Sequence, residues 1–245
     1  MTAHEPASVR IDVLDVVIPV RDEEAHLGAC IESVLRSAAH LRQSCAPATP
    51  LPLVRLVVVL DSCTDRSPAI ARGFGAPVEV ITVAEASVGG ARLRGVAHLL
   101  EGVGTAAGRH HWVCSTDADS TVPESWLGSH LAVAHTGAVL ALGRVQPEQS
   151  ELPEPEFHAW RTSYLSEERP VHGANLGVRA DVYRAAGGFA PLAEHEDVAL
   201  VRAVHALGRP VAILPDSVVT TSGRLLGRTP GGFAGYLRSL RPEDA

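Results

Sequence analysis

Three times in its first 120 residues the chain runs from a largely apolar stretch, interrupted in the first by Asp15, through a short polar turn, into a helical pattern. Val13–Val20, Leu53–Leu60 and Val78–Val83 are the first three stretches, and a fourth, His111–Ser115, follows them. Apolar runs without alternation suit strands covered on both faces, as in parallel sheets with helices packed above and below. Between them, Leu27, Cys30, Ile31, Val34 and Leu35 recur at helical spacing, as do Ala69, Ile70 and Phe74, and a third helix is expected from Val88 through Leu100. Strand–helix repeats of this kind predict an α/β fold with a Rossmann-like α/β/α layering and a mostly parallel central sheet. At 245 residues the chain needs no disulfide to hold its core. The polar turns Pro19–Glu23, Asp61–Asp65 and Asp117–Asp119 then fall along one sheet edge, where open α/β sheets bind ligands.

Asp117-Ala-Asp119 ends the fourth stretch, with no Arg beside it in sequence. Two carboxylates at a strand end attract a hard divalent cation, and Mg²⁺ is commonly held by one or two carboxylates plus substrate phosphates. The residues alone therefore suggest a metal-dependent transferase acting on a nucleotide-diphosphate substrate. The bland alternative is an acidic turn in which Ser120 or Thr121 caps a helix. A net charge of −7 argues against a nucleic-acid surface, which needs a basic patch. The cysteines (Cys30, Cys45, Cys63, Cys114) form no CxxC pair, a pattern that suits reduced thiols and a cytoplasmic protein. No signal-peptide pattern opens the chain, and no run of eighteen apolar residues marks a transmembrane helix, though peripheral membrane contact stays open.

The second half has a different texture. A helix is expected over Pro123–His135, a strand over Ala138–Val145, and a helix or lid over Gln146–Pro170. A short strand at Gly173–Val178, a helix at Asp181–Ala186 and a helix at Val198–Leu207 follow. Val211–Leu214 and Ser217–Thr221 read as strands, Arg224–Arg228 as a turn before a last helix. Arg21–Glu24 is expected to open the first helix, with acidic residues favoured by its dipole, and Gln43–Pro52 to be a loop. Residues 1–12 read as a flexible tail. Residues 13–245 read as one domain with a smaller acceptor-side subregion, divided into a nucleotide-sugar-binding half (13–122) and an acceptor-binding half (123–245).

In this order the landmarks resemble the family-2 glycosyltransferases of the GT-A fold, from about Val13 to Leu240. Val17-Ile-Pro19-Val-Arg-Asp22-Glu23 is similar to the family's opening strand and turn. Asp61-Ser-Cys-Thr64-Asp65 resembles its Asp-Asp-x-Ser-x-Asp segment, with Leu60 in the first Asp place, a departure in the segment that reads the base. Gly89–Gly95, Asp117-Ala-Asp119, Gly173-Ala-Asn175, Gly187-Gly188-Phe189 and Glu196-Asp197 complete the series. The resemblance implies that Pro19, Glu23 and Asp61 hold the nucleoside and that Arg92 sits near the base or diphosphate. It implies that Asp117 orients the ribose and that Asp119, with Asp117 beside it, ligates Mg²⁺ or Mn²⁺. Asp197 would be the catalytic base, Glu196 would position it or the acceptor, and Gly173, Ala174 and Asn175 would line the acceptor site. Arg224 and Arg228 would close over the diphosphate. His172 and His195, beside the acceptor motifs, could add a metal ligand or be ordinary surface histidines. Trp160 and Tyr164 could stack on a sugar but at helical spacing are more often core.

The chemistry that follows is transfer of a sugar from a nucleotide-diphosphate donor to an acceptor hydroxyl. One carboxylate base and no second nucleophile imply a single displacement with inversion. The acceptor stays open: a sugar, a lipid or a small metabolite fits. A sugar-phosphate nucleotidyltransferase would want a glycine-rich basic loop after the first strand, which Val20-Arg-Asp-Glu-Glu24 lacks. A non-catalytic nucleotide-binding protein is disfavoured by retention of Asp119 and Asp197. A Rossmann dehydrogenase is excluded because no GxGxxG follows the first strand.

Overall fold

A computed structural model of the chain describes residues 9–44, 50–164, 171–214, 216–227 and 231–240. The expected lid end at 165–170, part of the 43–52 loop and Arg228 lie outside the described residues. Ten strands and eight helices follow one another as β1 (Val13–Val20), α1 (Leu27–Ser44), β2 (Leu53–Asp61), α2 (Ser67–Gly73), β3 (Val78–Val83), α3 (Val88–Leu99), β4 (His111–Ser115), β5 (Ser120–Thr121), α4 (Trp126–His135), β6 (Leu140–Leu142), β7 (Val145–Pro147), α5 (Glu154–Tyr164), β8 (Leu176–Arg179), α6 (Ala180–Ala185), α7 (Glu196–Ala206), β9 (Val211–Ile213), β10 (Val219–Thr221) and α8 (Phe233–Ser239).

The central sheet has the order β3-β2-β1-β4-β8-β6-β9, with β3, β2, β1 and β4 parallel and β8 antiparallel to both neighbours. The four apolar runs thus make the parallel part, as their composition requires. Alternate residues of the strands serve the two faces. Leu14, Val16, Ile18, Leu56, Val58 and Leu60 pack with residues of α1 and α4. Val17, Val57, Val59 and Val113 pack with α3, α6 and α7. A small second sheet, β5-β10-β7, joins the end of the Asp117–Asp119 turn to the C-terminal part of the chain.

Several local expectations are corrected. The acidic residues at 22–24 do not sit in the first turn of α1, which starts at Leu27. Asp22 Oδ1 instead accepts from the backbone N–H groups of Thr64 and Asp65, and Glu24 from that of Arg66, so these carboxylates tie the turn after β1 to the turn after β2. Ser120 and Thr121 cap no helix; they pair with Thr221 and Thr220 as β5. The strand expected over Ala138–Val145 divides at Gly143 into β6 and β7, which belong to different sheets. Gly173–Asn175 is a 3₁₀ turn, and only Leu176–Arg179 is strand. Ile11 is buried, and Asp12 exchanges backbone hydrogen bonds with His110 and Leu53, so ordered structure reaches back into the expected tail. Trp160 and Tyr164 are core, 7% and 3% exposed.

Two polar groups lie where apolar ones would be expected. Asp15, fully buried in β1, accepts from Arg55 Nε at 2.6 Å, and its other oxygen lies 2.8 Å from His111 Nδ1. The cluster staples β2, β1 and β4 at the sheet end opposite the polar turns. His130 is fully buried on α4, its Nδ1 accepting from Trp112 Nε1 at 3.3 Å, and burial pushes its pKa down to about 3. Gly177 faces this pair, and a Cβ there would collide with both nitrogens.

Two outcomes follow. Asp15→Ala, which strands a half-buried guanidinium, is expected to cost about 3 kcal/mol in urea unfolding; a loss under about 1 kcal/mol would contradict the staple. For His130, the unfolded imidazole takes a proton near pH 6.5 while the folded one stays neutral to about pH 3, so stability falls as pH drops through that window. His130→Gln should flatten this acid limb in urea titrations at pH 7, 5.5 and 4.5; an unchanged slope would assign the limb to other groups.

Candidate active site

The C-terminal ends of β1, β2 and β4, the turns that follow them and the start of α7 surround a cleft of about 560 Å³, within the usual range for ligand sites. Of the expected residues it brings together Pro19, Glu23, Asp61, Arg92, Asp117, Asp119, Gly173, Ala174, Glu196, Asp197 and Arg224. Asn175 is a correction. It is fully buried, its Nδ2 donating to the carbonyls of Arg144 and Ser217 and its Oδ1 accepting from Trp126 Nε1, so it knots the core behind the cleft and does not line it.

Arg92, expected near the base or diphosphate, lines the cleft beside Asp117. It is 2% exposed, and its two terminal nitrogens form ion pairs with Asp117 and with Glu196. The guanidinium lies over the Phe189 ring, 5.6 Å from its centroid. It clamps the turn after β4 to the first turn of α7. Gly173 passes against it so closely that any Cβ there would collide with both terminal nitrogens.

Asp61 is equally committed. Its Oδ1 accepts from the backbone of Glu85 and Ala86 and its Oδ2 from Ser87, which fixes the loop entering α3. Ser87 in turn caps α3 by accepting from Gly90 N. Asp197, second residue of α7, accepts from Gly173 N at 2.7 Å through Oδ2 and from Val198 N through Oδ1. His195 ahead of it has φ +65°, and Asp22, Ser62 and Ala86 in the other bordering turns are also left-handed. Such strain in non-glycine residues concentrates at functional sites.

Arg224, on the segment after β10, reaches back to the other end of the cleft. It donates to both oxygens of Glu23, at 2.9 and 2.7 Å, and lies 2.7 Å from Asp119 Oδ2. Hydrogen bonding to Glu23 and the Asp119 charge raise its pKa. Burial and the neighbouring Asp117 carboxylate lift Asp119 to about 6. Glu151 carries no signal in the sequence, yet its Oε2 accepts from Ser222 Oγ and Gly223 N and so anchors the segment that carries Arg224. Nor did it single out Phe233 and Tyr236 of α8, which line the far end of the cleft; their i, i+3 aromatic spacing was the available signal.

Among the described residues, seven carboxylates (Glu23, Asp61, Asp117, Asp119, Glu194, Glu196 and Asp197) line the cleft against three arginines, of which Arg92 and Arg224 are each already paired with two of them. Oxygen donors in excess suit a hard divalent cation. Asp119 presents the carboxylate best placed to hold one: its side chain is 16% exposed and, among the described residues, meets Arg224 and two long hydroxyl contacts. A tighter set of potential ligands, Asp22, Cys63 and Asp65, lies elsewhere. The Asp22 and Asp65 oxygens there are spent on the N–H groups of the turn itself.

The profile of glycosyl transferase family 2 matches residues 15–186, and the chain belongs to that family. Its fold is that of the GT-A glycosyltransferases. S. aureus TarS in complex with UDP-GlcNAc is similar with a TM-score of 0.64 at 14% identity, over 91% of this chain and 62% of that one. The mannosyltransferase PcManGT of Pyrobaculum calidifontis, solved with GDP-Man and Mn²⁺, gives 0.57 at 19%, over 93% and 61%. Glucosyl-3-phosphoglycerate synthase of Mycobacterium tuberculosis, with Mn²⁺, UDP and phosphoglyceric acid, gives 0.56 at 20%, over 94% and 77%. The chain thus spans about three fifths of the length of the first two. No curated protein sequence matches it. Among the described residues no helix is long and apolar enough to cross a membrane.

Gly173→Ala is expected to break the Arg92 clamp, costing about 2 kcal/mol in urea unfolding through overpacking and weakening nucleotide binding in calorimetry. Wild-type stability and affinity together would show that the clamp carries nothing.

Proposed function

We propose that the protein is a metal-dependent, inverting glycosyltransferase that moves a sugar from a nucleotide-diphosphate sugar to an acceptor hydroxyl. The observation that carries the reading is a sheet-edge cleft in which, among the described residues, carboxylates outnumber arginines, with Asp119 and Asp197 both lining it. A diphosphate anion entering such a cleft meets net repulsion unless a cation comes with it. Mg²⁺ or Mn²⁺, held by Asp119 with Asp117 beside it, would offset the charge on the leaving diphosphate. UDP-GlcNAc, GDP-Man and UDP in the similar structures support a nucleotide-sugar donor. Free thiols at Cys30, Cys63 and Cys114 agree with a reducing, cytoplasmic setting.

The chain's own residues then divide the work. Pro19, Glu23 and Asp61 border the nucleoside position, with Asp61 also fixing the loop beside it. Arg224 is the mobile-charge candidate for the diphosphate, since its partners Glu23 and Asp119 are themselves donor-site residues; Arg228 would follow it on the same segment. Arg92 and Glu196 hold the turn after β4 against α7, which sets Asp197 across from Asp119. The Gly173 N–H fixes the Asp197 carboxylate. Asp197 takes the acceptor proton as the acceptor oxygen bonds to the anomeric carbon, and the bond to the diphosphate breaks with its electron pair leaving on phosphate. Gly173 and Ala174 border the acceptor. Attack from the side opposite the leaving group inverts the anomeric centre.

Asp197→Asn should lower turnover by about 10²–10⁴-fold, the range of general-base catalysis, while donor affinity in calorimetry stays within about twofold of wild type; unchanged turnover would remove Asp197 as the base. Proton NMR of the product should show the opposite anomeric configuration to the donor, and a retained centre would refute the single displacement.

A further inference from the structure

Around Arg224 the polar side chains close into a circuit. Arg224 donates to both oxygens of Glu23, and Glu23 Oε2 lies 3.5 Å from Nδ1 of His26, the residue just ahead of α1. The other imidazole nitrogen, Nε2, is 3.1 Å from Glu151 Oε1. Glu151 Oε2 in turn accepts from Ser222 Oγ at 2.5 Å and from Gly223 N at 3.0 Å, and those two residues run directly into Arg224. Both ends of the circuit also hold Asp119. Arg224 meets its carboxylate, and Ser222 donates its backbone N–H to the Asp119 carbonyl at 3.0 Å. Glu23, Ser222 and Arg224 line the cleft; His26 and Glu151 reach it through them.

Each member of the circuit restrains a different part of Arg224. Glu23 fixes the guanidinium, while Glu151 fixes the backbone through Ser222 and Gly223. At Gly223 the fit is close, because a Cβ there would meet the Glu148 carbonyl oxygen at 2.6 Å. Burial works against the charge on Glu151, but the hydrogen bonds from Ser222 and His26 outweigh it and hold the carboxyl below its ordinary range. An ionised carboxylate only accepts, so His26 Nε2 is the donor toward Glu151. His26 therefore stands between the two carboxylates that anchor Arg224 and joins one anchor to the other. A cation held in place before a ligand arrives meets its negative charge without the entropic cost of ordering a long side chain.

We infer that His26 and Glu151 are positioning residues for the donor, holding Arg224 where the diphosphate of the nucleotide sugar lies. The inference rests on the reading of Arg224 as a cation that meets the diphosphate, and extends that site to two residues acting through it.

Calorimetry on the whole chain with UDP and GDP in excess Mg²⁺ tests it, arranged as a double-mutant cycle. His26→Ala and Glu151→Ala should each weaken the better-bound diphosphate by about tenfold. His26→Gln, whose amide can donate to Glu151, should recover most of the loss. In an Arg224→Ala background, His26→Ala should cost less than about twofold more, because the group it positions is gone. A residue that merely supported the fold would lower affinity equally with and without Arg224. The side chains of His26 and Glu151 are 31% and 33% exposed, so neither truncation empties the core, and urea unfolding of the same samples checks that each variant is folded. Unchanged affinity in both alanine variants, or the same His26→Ala loss with and without Arg224, overturns the inference, while nucleotide binding by the wild type leaves glycosyl transfer standing. If neither UDP nor GDP binds the wild type, the donor reading fails and the positioning role falls with it.

Discussion

Arg92 is the residue on which the arrangement of the cleft depends. It stands on α3, which the sheet buries, and ties Asp117 at the end of β4 to Glu196 at the start of α7. Removing a partner from a buried ion pair costs far more than the pair contributes to folding, so such a clamp specifies geometry more than it adds stability. Here it sets the spacing between the donor-side turn and the helix that carries Asp197. The packing around it leaves no slack: Phe189 lies under the guanidinium, and Gly173 has no room for a side chain.

Around that clamp the charges are arranged in opposition. Glu23 and Asp119 share Arg224, while Asp61 turns its oxygens on backbone N–H groups. The segment after β10 is fastened by carboxylates at three points, Glu151 at Ser222 and Gly223, Glu23 with Asp119 at Arg224, and Glu194 at Gly231. A donor carrying phosphates and a cation would exchange some of these contacts for its own.

The sequence made the parallel half of the sheet legible because strands covered on both faces are mostly apolar, as β1, β2 and β4 are apart from Asp15, Arg55 and the polar strand ends. It pointed to Asp119, in the turn after β4, and to Asp197, in the first turn of α7, through the order of the motifs. Periodicity says whether a residue is buried but not which distant group its polar atoms meet. Arg92 pairs with a residue 104 positions away and Arg224 with one 201 away, so neither role could be read from neighbours. Asn175 has the look of a ligand-binding turn, yet its amide is consumed by Trp126 and two carbonyls. The split of the 138–145 strand follows from the same residue: Gly143 packs against the Asn175 side chain with no space for a Cβ.

The claim that the cleft takes a nucleotide diphosphate only together with a cation is the most exposed to test. Calorimetric titration of UDP and GDP, each in excess Mg²⁺ or Mn²⁺ and again in chelator, measures it. The charge imbalance predicts binding of at least one nucleotide with metal, weakened by about tenfold or more, over 1.4 kcal/mol, in chelator. Equal affinity in the two buffers would contradict it, and would leave Arg224 as the cation that meets the diphosphate.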